Sequence, residues 1–273
     1  IGYIKFCRIY KYLNNRIDDF FSLNKKDFIN LGFYEYEINK ILNNIKLYNF
    51  ENDKKELEKY NIKMCNIFDE NYPYLLKNIY DPPIMFYYIG NLIKNDNNIA
   101  IVGSRKFSDY GEKVAKDFSN YLSNYFSIVS GFAYGIDSLA HEAAVLNKKR
   151  TIAVMGVGLD SYYPYSNKIL AKEILDNNGL LISEFPLGTK PLKSNFPRRN
   201  RIISGISKGV LVIEANIKSG TFITANCALE QGRELFVIPG NIYSEYSIGT
   251  NELIKKGANL VTSPKDILEI INR

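Results

Sequence analysis

From Ile99 to Ile238 the chain alternates between two textures, and that alternation limits its fold more than any other feature. Short apolar runs rich in β-branched residues recur at Ile99–Val102, Ser127–Val129, Thr151–Met155, Leu180–Ile182, Val210–Ile213 and Leu235–Ile238, most of them bounded by Gly or Ser. A strand that is apolar along its whole length must be covered on both faces, which is the condition of a parallel sheet. Segments with helical spacing lie between the runs, at Asp109–Leu122, Ile136–Leu146, Lys168–Leu175 and Thr221–Leu229. This succession predicts an α/β fold, a doubly wound and mostly parallel sheet of Rossmann-like kind over residues 99–273. Such sheets bind ligands at the carboxyl ends of their strands, so the residues just after each run are the ones to read for function.

Upstream the texture differs. Residues 1–60 are rich in Lys, Asn and acids, with apolar positions at helical spacing: Ile9, Tyr12 and Leu13, then Phe28 and Leu31, then Ile38, Ile41, Leu42 and Ile45. They predict a small all-helical domain. Residues 61–98 read as a connector with peripheral strands, because Tyr72-Pro73 and Asp81-Pro82-Pro83 precede the apolar stretch from Ile84 to Ile89. The 14 basic and 13 acidic residues of positions 1–98 nearly cancel, so most of the net charge of +6 belongs to the α/β part.

Several function classes are set aside by composition. Cys7, Cys65 and Cys227 lie far apart and form no CxxC pair, and His141 is the single histidine. Neither a disulfide framework nor a zinc site can be built from them, so no metal is expected and a cytoplasmic location is the simplest reading. No run of about eighteen apolar residues is present, so no membrane partner is expected. The chain begins at Ile1 rather than methionine, which leaves amino-terminal targeting open.

Charge is concentrated in one place. From Lys190 to Lys218 there are seven Lys or Arg and a single acid, Glu214. Within that stretch Phe196-Pro197 leads directly into Arg198, Arg199, Asn200 and Arg201. An aromatic ring beside several guanidinium groups suits a phosphate with a stacked base, although arginines at a helix start also pair with carboxylates elsewhere. If a helix begins near Arg198, then Arg199, Ile202, Ile203 and Ile206 share one face and Arg198 and Arg201 another. Arg199 is then the partly buried, structural member, paired with Asp137 or Glu214, and Arg198 and Arg201 are the better phosphate ligands. Phe196, in the loop before, is either a core plug or a stacking platform.

Three strand ends add donors. The first apolar run closes on Gly103-Ser104-Arg105, a tight turn whose amides can face an anion. A GxGxxG fingerprint is missing, so no dinucleotide cofactor is expected. The second closes on Ser130-Gly131, followed by Gly135-Ile136-Asp137, with His141 one helical turn further on. Asp137 and His141 form the one plausible acid-base pair, but helix capping and local hydrogen bonding account for them without catalysis. After the fifth come Glu214-Ala215 and then Lys218-Ser219-Gly220-Thr221, which place hydroxyls and amides at a helix start. The P-loop pattern GxxxxGK[ST] is absent.

Taken together, these ordered motifs resemble the DNA-processing protein A family, also called DprA or Smf, from about Tyr72 to Ala258. The resemblance rests on Ile101–Arg105, Ser130-Gly131 with Gly135–Asp137, Gly156–Asp160 with Tyr163-Pro164, Ser183-Glu184 with Pro186, Phe196–Ser207, Lys218–Thr221 with Thr224-Ala225, Glu230–Arg233, Pro239-Gly240, and Gly249 with Asn251. It implies an extended Rossmann fold preceded by a small sterile-alpha-motif-like helical domain. It also implies a cytoplasmic homodimer that binds and protects single-stranded DNA and helps load the RecA recombinase in natural transformation. Arg105, Lys193 and Phe196 match the family's DNA pocket, and Arg198, Arg199 and Arg201 fall in the same motif. With the strand-end donors, the candidate nucleic-acid-binding set is Gly103, Ser104, Arg105, Gly131, Lys193, Phe196, Arg198, Arg199, Asn200, Arg201, Ser219, Gly220 and Thr221. Phe132 and Phe222 stand where the family usually carries smaller aliphatic residues. Many members also have a carboxyl-terminal winged-helix domain; this sequence stops at Arg273, with that domain absent or removed, so duplex binding through it is not expected. The expected activity is non-enzymatic, without cofactor or metal. The alternatives are a Rossmann-like enzyme that cleaves nucleoside monophosphates, whose PGGxGT loop is missing here, and a nucleotide sensor without turnover.

Overall fold

The computed structural model describes residues 2–47, 49–217 and 219–272. They form two compact units, residues 1–61 and 62–273.

The first unit holds helices α1 (Tyr3–Tyr12), α2 (Lys25–Asn30), α3 (Glu35–Leu47) and α4 (Phe50–Lys59), with a 3-10 helix at Ile17–Ser22 between α1 and α2. Ile9, Leu13, Leu23, Phe28, Phe33 and Ile38 are buried together, with the Phe28 and Phe33 rings edge to face at 5.5 Å. Tyr12 is half exposed and its hydroxyl donates to Asp27. The six residues of α2 are too few to hold a helix alone, and a capping box compensates: Asn24 accepts from the amides of Lys26 and Asp27, while Asp27 accepts from that of Asn24.

The second unit is built on a nine-stranded sheet: β1 (Lys63–Asn66), β2 (Met85–Gly90), β3 (Asn98–Val102), β4 (Ser127–Ser130), β5 (Thr151–Met155), β6 (Leu180–Ser183), β7 (Gly209–Val212), β8 (Glu234–Val237) and β9 (Asn259–Leu260). Its order is β1-β2-β6-β5-β4-β3-β7-β8-β9. The strands from β6 to β9 pair in parallel, and β1 and β2 add an antiparallel edge beside β6. Helices α5 (Tyr74–Lys77), α6 (Asp109–Leu122), α7 (Ile136–Leu146), α8 (Lys168–Asp176), α9 (Asn195–Gly205), α10 (Gly220–Glu230), α11 (Ile248–Lys255) and α12 (Pro264–Ile271) complete the unit. The six apolar runs of the sequence are β3 to β8, and the fold is the doubly wound α/β class their texture predicts. Every residue of β3, β4, β5, β6 and β7 is buried, as a sheet covered on both faces requires. One layer of that cover is a cluster of Ile99, Ile101, Ile128 and Leu211 with Phe118, Leu122, Ile136 and Ala140 from α6 and α7 and Ile267 from α12.

Strand order sets where a ligand goes. After β3 the chain winds outward through β4, β5 and β6, then returns to the other side of β3 as β7. The crevice beyond the ends of β3 and β7 is the point of reversal, where open α/β sheets bind their ligands.

One local expectation is corrected. Phe196 is not in a loop before a helix that begins near Arg198: α9 starts at Asn195, so Phe196 and Pro197 lie in its first turn. Proline is tolerated there because amides of a first turn have no intrahelical acceptor to lose.

Candidate nucleic-acid interface

A cleft of about 1010 Å³ opens at the strand ends around the β3/β7 reversal. It collects Gly103, Ser104, Arg105 and Lys106 from the turn after β3 with Asp137 from α7. Lys193, Phe196, Arg199 and Asn200 come from α9 and the loop before it, and Ser219, Gly220 and Thr221 from the start of α10. Helix geometry explains which members of α9 point inward. Arg199 shares its face with Ile202, Ile203 and Ile206, and the four are between 0% and 4% exposed.

Burial ties Arg199 down. Its Nη1 donates to the carbonyl of Gly131 at 2.6 Å and to that of Val154, and its Nε donates to Asn200 Oδ1 at 3.1 Å. Next to the Asp137 carboxyl, a guanidinium is thus plugged into the ends of β4 and β5 at the cleft floor. Burial pulls its pKa down to about 10, still far above neutrality, so the charge persists. Asp137 lies beside it, and burial raises that carboxyl above the ordinary range while Arg199 opposes the shift. Gly131 is a glycine for want of room: a Cβ there would collide with the Asp137 carboxylate and the Arg199 guanidinium. The same α9 residue that fixes Arg199 also holds α10, because Asn200 Nδ2 donates to the Gly220 carbonyl at 3.1 Å.

The hydroxyls at the start of α10 are committed to the fold. Ser219 caps the helix by accepting from the Phe222 amide, and Thr221 donates to the Gly103 carbonyl at 2.9 Å, locking α10 to the end of β3. Lys218 lies outside the described residues.

Arg198 and Arg201 reverse the sequence expectation. Helix geometry made them the better phosphate ligands, yet neither lines the cleft. Both donate to Glu184 Oε1, at 3.0 and 2.7 Å, and Arg201 also pairs with Asp81 at 3.1 Å. Glu184 sits just past β6, so the ion pairs draw both arginines toward that side of the sheet and Arg201 is left only 12% exposed. No ion pair forms on Arg105, Lys106 or Lys193 among the described residues, and all three are exposed. All three line the cleft, where an anion can meet them.

Phe196 is part-buried, so it is not a full core plug. The Arg105 guanidinium lies over its ring at 5.4 Å, the Tyr163 ring stands 5.6 Å away at 41°, and the Gly156 backbone abuts its edge. The recess bounded by Arg105, Gly131, Tyr134, Gly156, Tyr163 and Phe196 has about 20 Å³ of free space, room for about one water molecule. Lys106, Tyr163, Asn216 and Tyr246 also line these cavities and were not assigned there from sequence. Lys106 follows Arg105 directly, so its charge was a readable signal. The others arrive by long-range packing.

His141 takes no part in the cleft. It is fully buried, its Nδ1 lies 2.7 Å from Thr151 Oγ1, and burial lowers its pKa to about 3. Because Thr151 Oγ1 donates to the Ile128 carbonyl, the imidazole is neutral with its proton on Nδ1. It cannot share protons with a ligand above Asp137. No group of three or more potential metal ligands occurs among the described residues. No helix among them is long and apolar enough to cross a membrane.

The model of the DNA recombination-mediator protein A family matches residues 63–272, nearly the whole second unit. The chain belongs to that family. DNA processing protein DprA of Streptococcus pneumoniae is 46% identical over 215 residues, which cover 78% of this chain and 75% of that protein. Protein Smf of Escherichia coli is 52% identical over 172 residues, covering 63% of this chain but only 46% of the longer relative. Among solved structures, DNA processing protein A of S. pneumoniae superposes with a TM-score of 0.86 at 38% identity, covering 97% of this chain and 92% of the other. DNA processing protein A of Helicobacter pylori, solved for its single-stranded DNA binding mode, gives 0.69 at 31% identity, covering 77% and 95%. The fold described above is thus shared with these DNA processing protein A structures.

Proposed function

We propose that this recombination-mediator chain binds single-stranded DNA in the cleft at the β3/β7 reversal, without turnover. The observation that carries this is the meeting of three cations without an ion-pair partner among the described residues, Arg105, Lys106 and Lys193, with the Phe196 ring in one cleft. Charge alone would serve any polyanion. Aromatic area beside it favours a strand whose bases are unpaired and free to stack. The single-stranded DNA binding mode of the H. pylori relative supports the same reading. Handing the bound strand to a RecA-type recombinase, and action as a homodimer in natural transformation, are the roles that fit a recombination mediator, with cytoplasmic DNA as the substrate.

The test is a fluorescence-anisotropy titration of a labelled oligonucleotide at several salt concentrations, run beside incubation with nucleoside monophosphates and ATP. Tight, salt-sensitive binding of the single strand with no product released is the expected result. Product release that vanishes in Asp137→Asn, in a folded protein, would establish a nucleotide-cleaving enzyme instead.

A further inference from the structure

We propose that Glu214 is a positioning residue for the single-strand site, holding the turn that carries Arg105 and Lys106; this rests on the single-strand reading above. Glu214 is the sole acid in the basic stretch from Lys190 to Lys218 and follows β7 almost at once. A carboxylate facing that cleft would repel phosphate. It does not face it: Glu214 is 2% exposed and is not among the lining residues.

Its charge is directed under the turn. One carboxylate oxygen accepts from the Ser108 amide at 3.0 Å and the other accepts from the Ser108 hydroxyl. Ser108 is the N-cap of α6, and its Oγ accepts in turn from the Gly111 amide at 3.1 Å. A Cβ at Gly111 would strike the carboxylate, so glycine at that position makes space for the acid. A buried negative charge thus meets the positive amino end of a helix of 14 residues.

The consequence for the cleft follows from chain length. Only residues 103–107 separate β3 from Ser108. Their beginning is fixed by β3 pairing with β7 and by the Thr221 hydroxyl on the Gly103 carbonyl, and their end by Glu214 on Ser108. Ser104 is held midway, where its carbonyl accepts from the Ile136 amide at 3.2 Å. Arg105 and Lys106 are the exposed crest of an arc pinned at both ends across the β3/β7 reversal. Holding the arc in the free protein lowers the ordering cost that phosphate binding would otherwise incur.

A double-mutant cycle on oligonucleotide affinity tests this, joined to a readout that needs no DNA. Glu214→Ala is expected to weaken binding about tenfold, and its effect to disappear largely when Arg105 is already alanine, since coupled residues are non-additive. Glu214→Gln, which keeps one acceptor for Ser108, is expected to restore part of the loss. In limited trypsin digestion, cleavage after Arg105 and Lys106 should rise about tenfold in Glu214→Ala with other sites unchanged, because local opening governs such cleavage. Ser108→Ala removes the hydroxyl from the other side and serves if Glu214→Ala does not fold. Losses that add fully to Arg105→Ala, or trypsin cleavage at that turn unchanged in the folded variants, overturn the assignment. Wild-type protein that fails to bind the oligonucleotide overturns the single-strand reading itself, while the digestion still decides whether Glu214 holds the turn.

Discussion

Replacing Phe196 by alanine tests two proposed roles, packing and base stacking, and the surroundings of the ring allow them to be separated. Its surroundings are Arg105 over one face, the tilted Tyr163 ring and the backbone of Gly156. Full burial of a Phe would make truncation cost about 3–5 kcal/mol of stability; a part-buried ring in a recess that already has free space should lose about 1–2 kcal/mol. Stacking one base contributes about 1–3 kcal/mol to binding, so affinity should fall between about 5-fold and 150-fold. No counterion is released by a stacked ring, so the slope of log affinity against log salt should hardly move. Phe196→Leu refills most of the recess without a π face. It should recover stability but not affinity, as read by thermal unfolding beside anisotropy titrations at several salt concentrations. Recovery of both in Phe196→Leu would refute stacking and leave Phe196 as packing alone.

The charged residues give a contrasting pattern. Arg105→Ala and Lys193→Ala should each weaken binding and flatten the salt slope by up to about 0.7, the value for one phosphate contact on a single strand; unchanged slopes in both would remove them from the site. Arg198→Ala should leave the slope nearly unchanged, because that guanidinium is engaged by Glu184 outside the cleft; a full one-phosphate loss would show that the pair opens for DNA. His141 is buried neutral with its pKa lowered to about 3, so the unfolded chain binds a proton that the native chain refuses below the ordinary value of 6.5. Its contribution is complete above the unfolded value and is lost as pH falls toward the folded one, at up to about 1.4 kcal/mol per pH unit. His141→Leu should therefore flatten the fall in stability between pH 6.5 and 4.5, measured by denaturant unfolding; an identical slope would mean the imidazole is protonated in the fold.

The sheet was legible because its signal is local. A strand covered on both faces has to be apolar throughout, and β3 to β8 announce themselves one by one. The two-residue β9 and the four-residue α5 carry too short a pattern to read. At the site, spacing within α9 correctly sorted Arg199 from Arg198 and Arg201, since helix phase is a property of the segment itself. It could not say what each face meets. Glu184 and Asp81 lie 17 and 120 residues from Arg201 in the chain, and their pairing takes the two expected phosphate ligands out of the cleft. The same limit hid Tyr163 beside Phe196 and the seat of Glu214 beneath the turn it supports.

A crystal structure of the complex with a short oligo-dT tests the central claim most directly. The strand is expected to cross the ends of β3 and β7, with phosphates on Arg105 and Lys193 and a base against the Phe196 and Arg105 pair. A strand bound on another face of the unit, with the cleft open and these side chains unmoved, would contradict it.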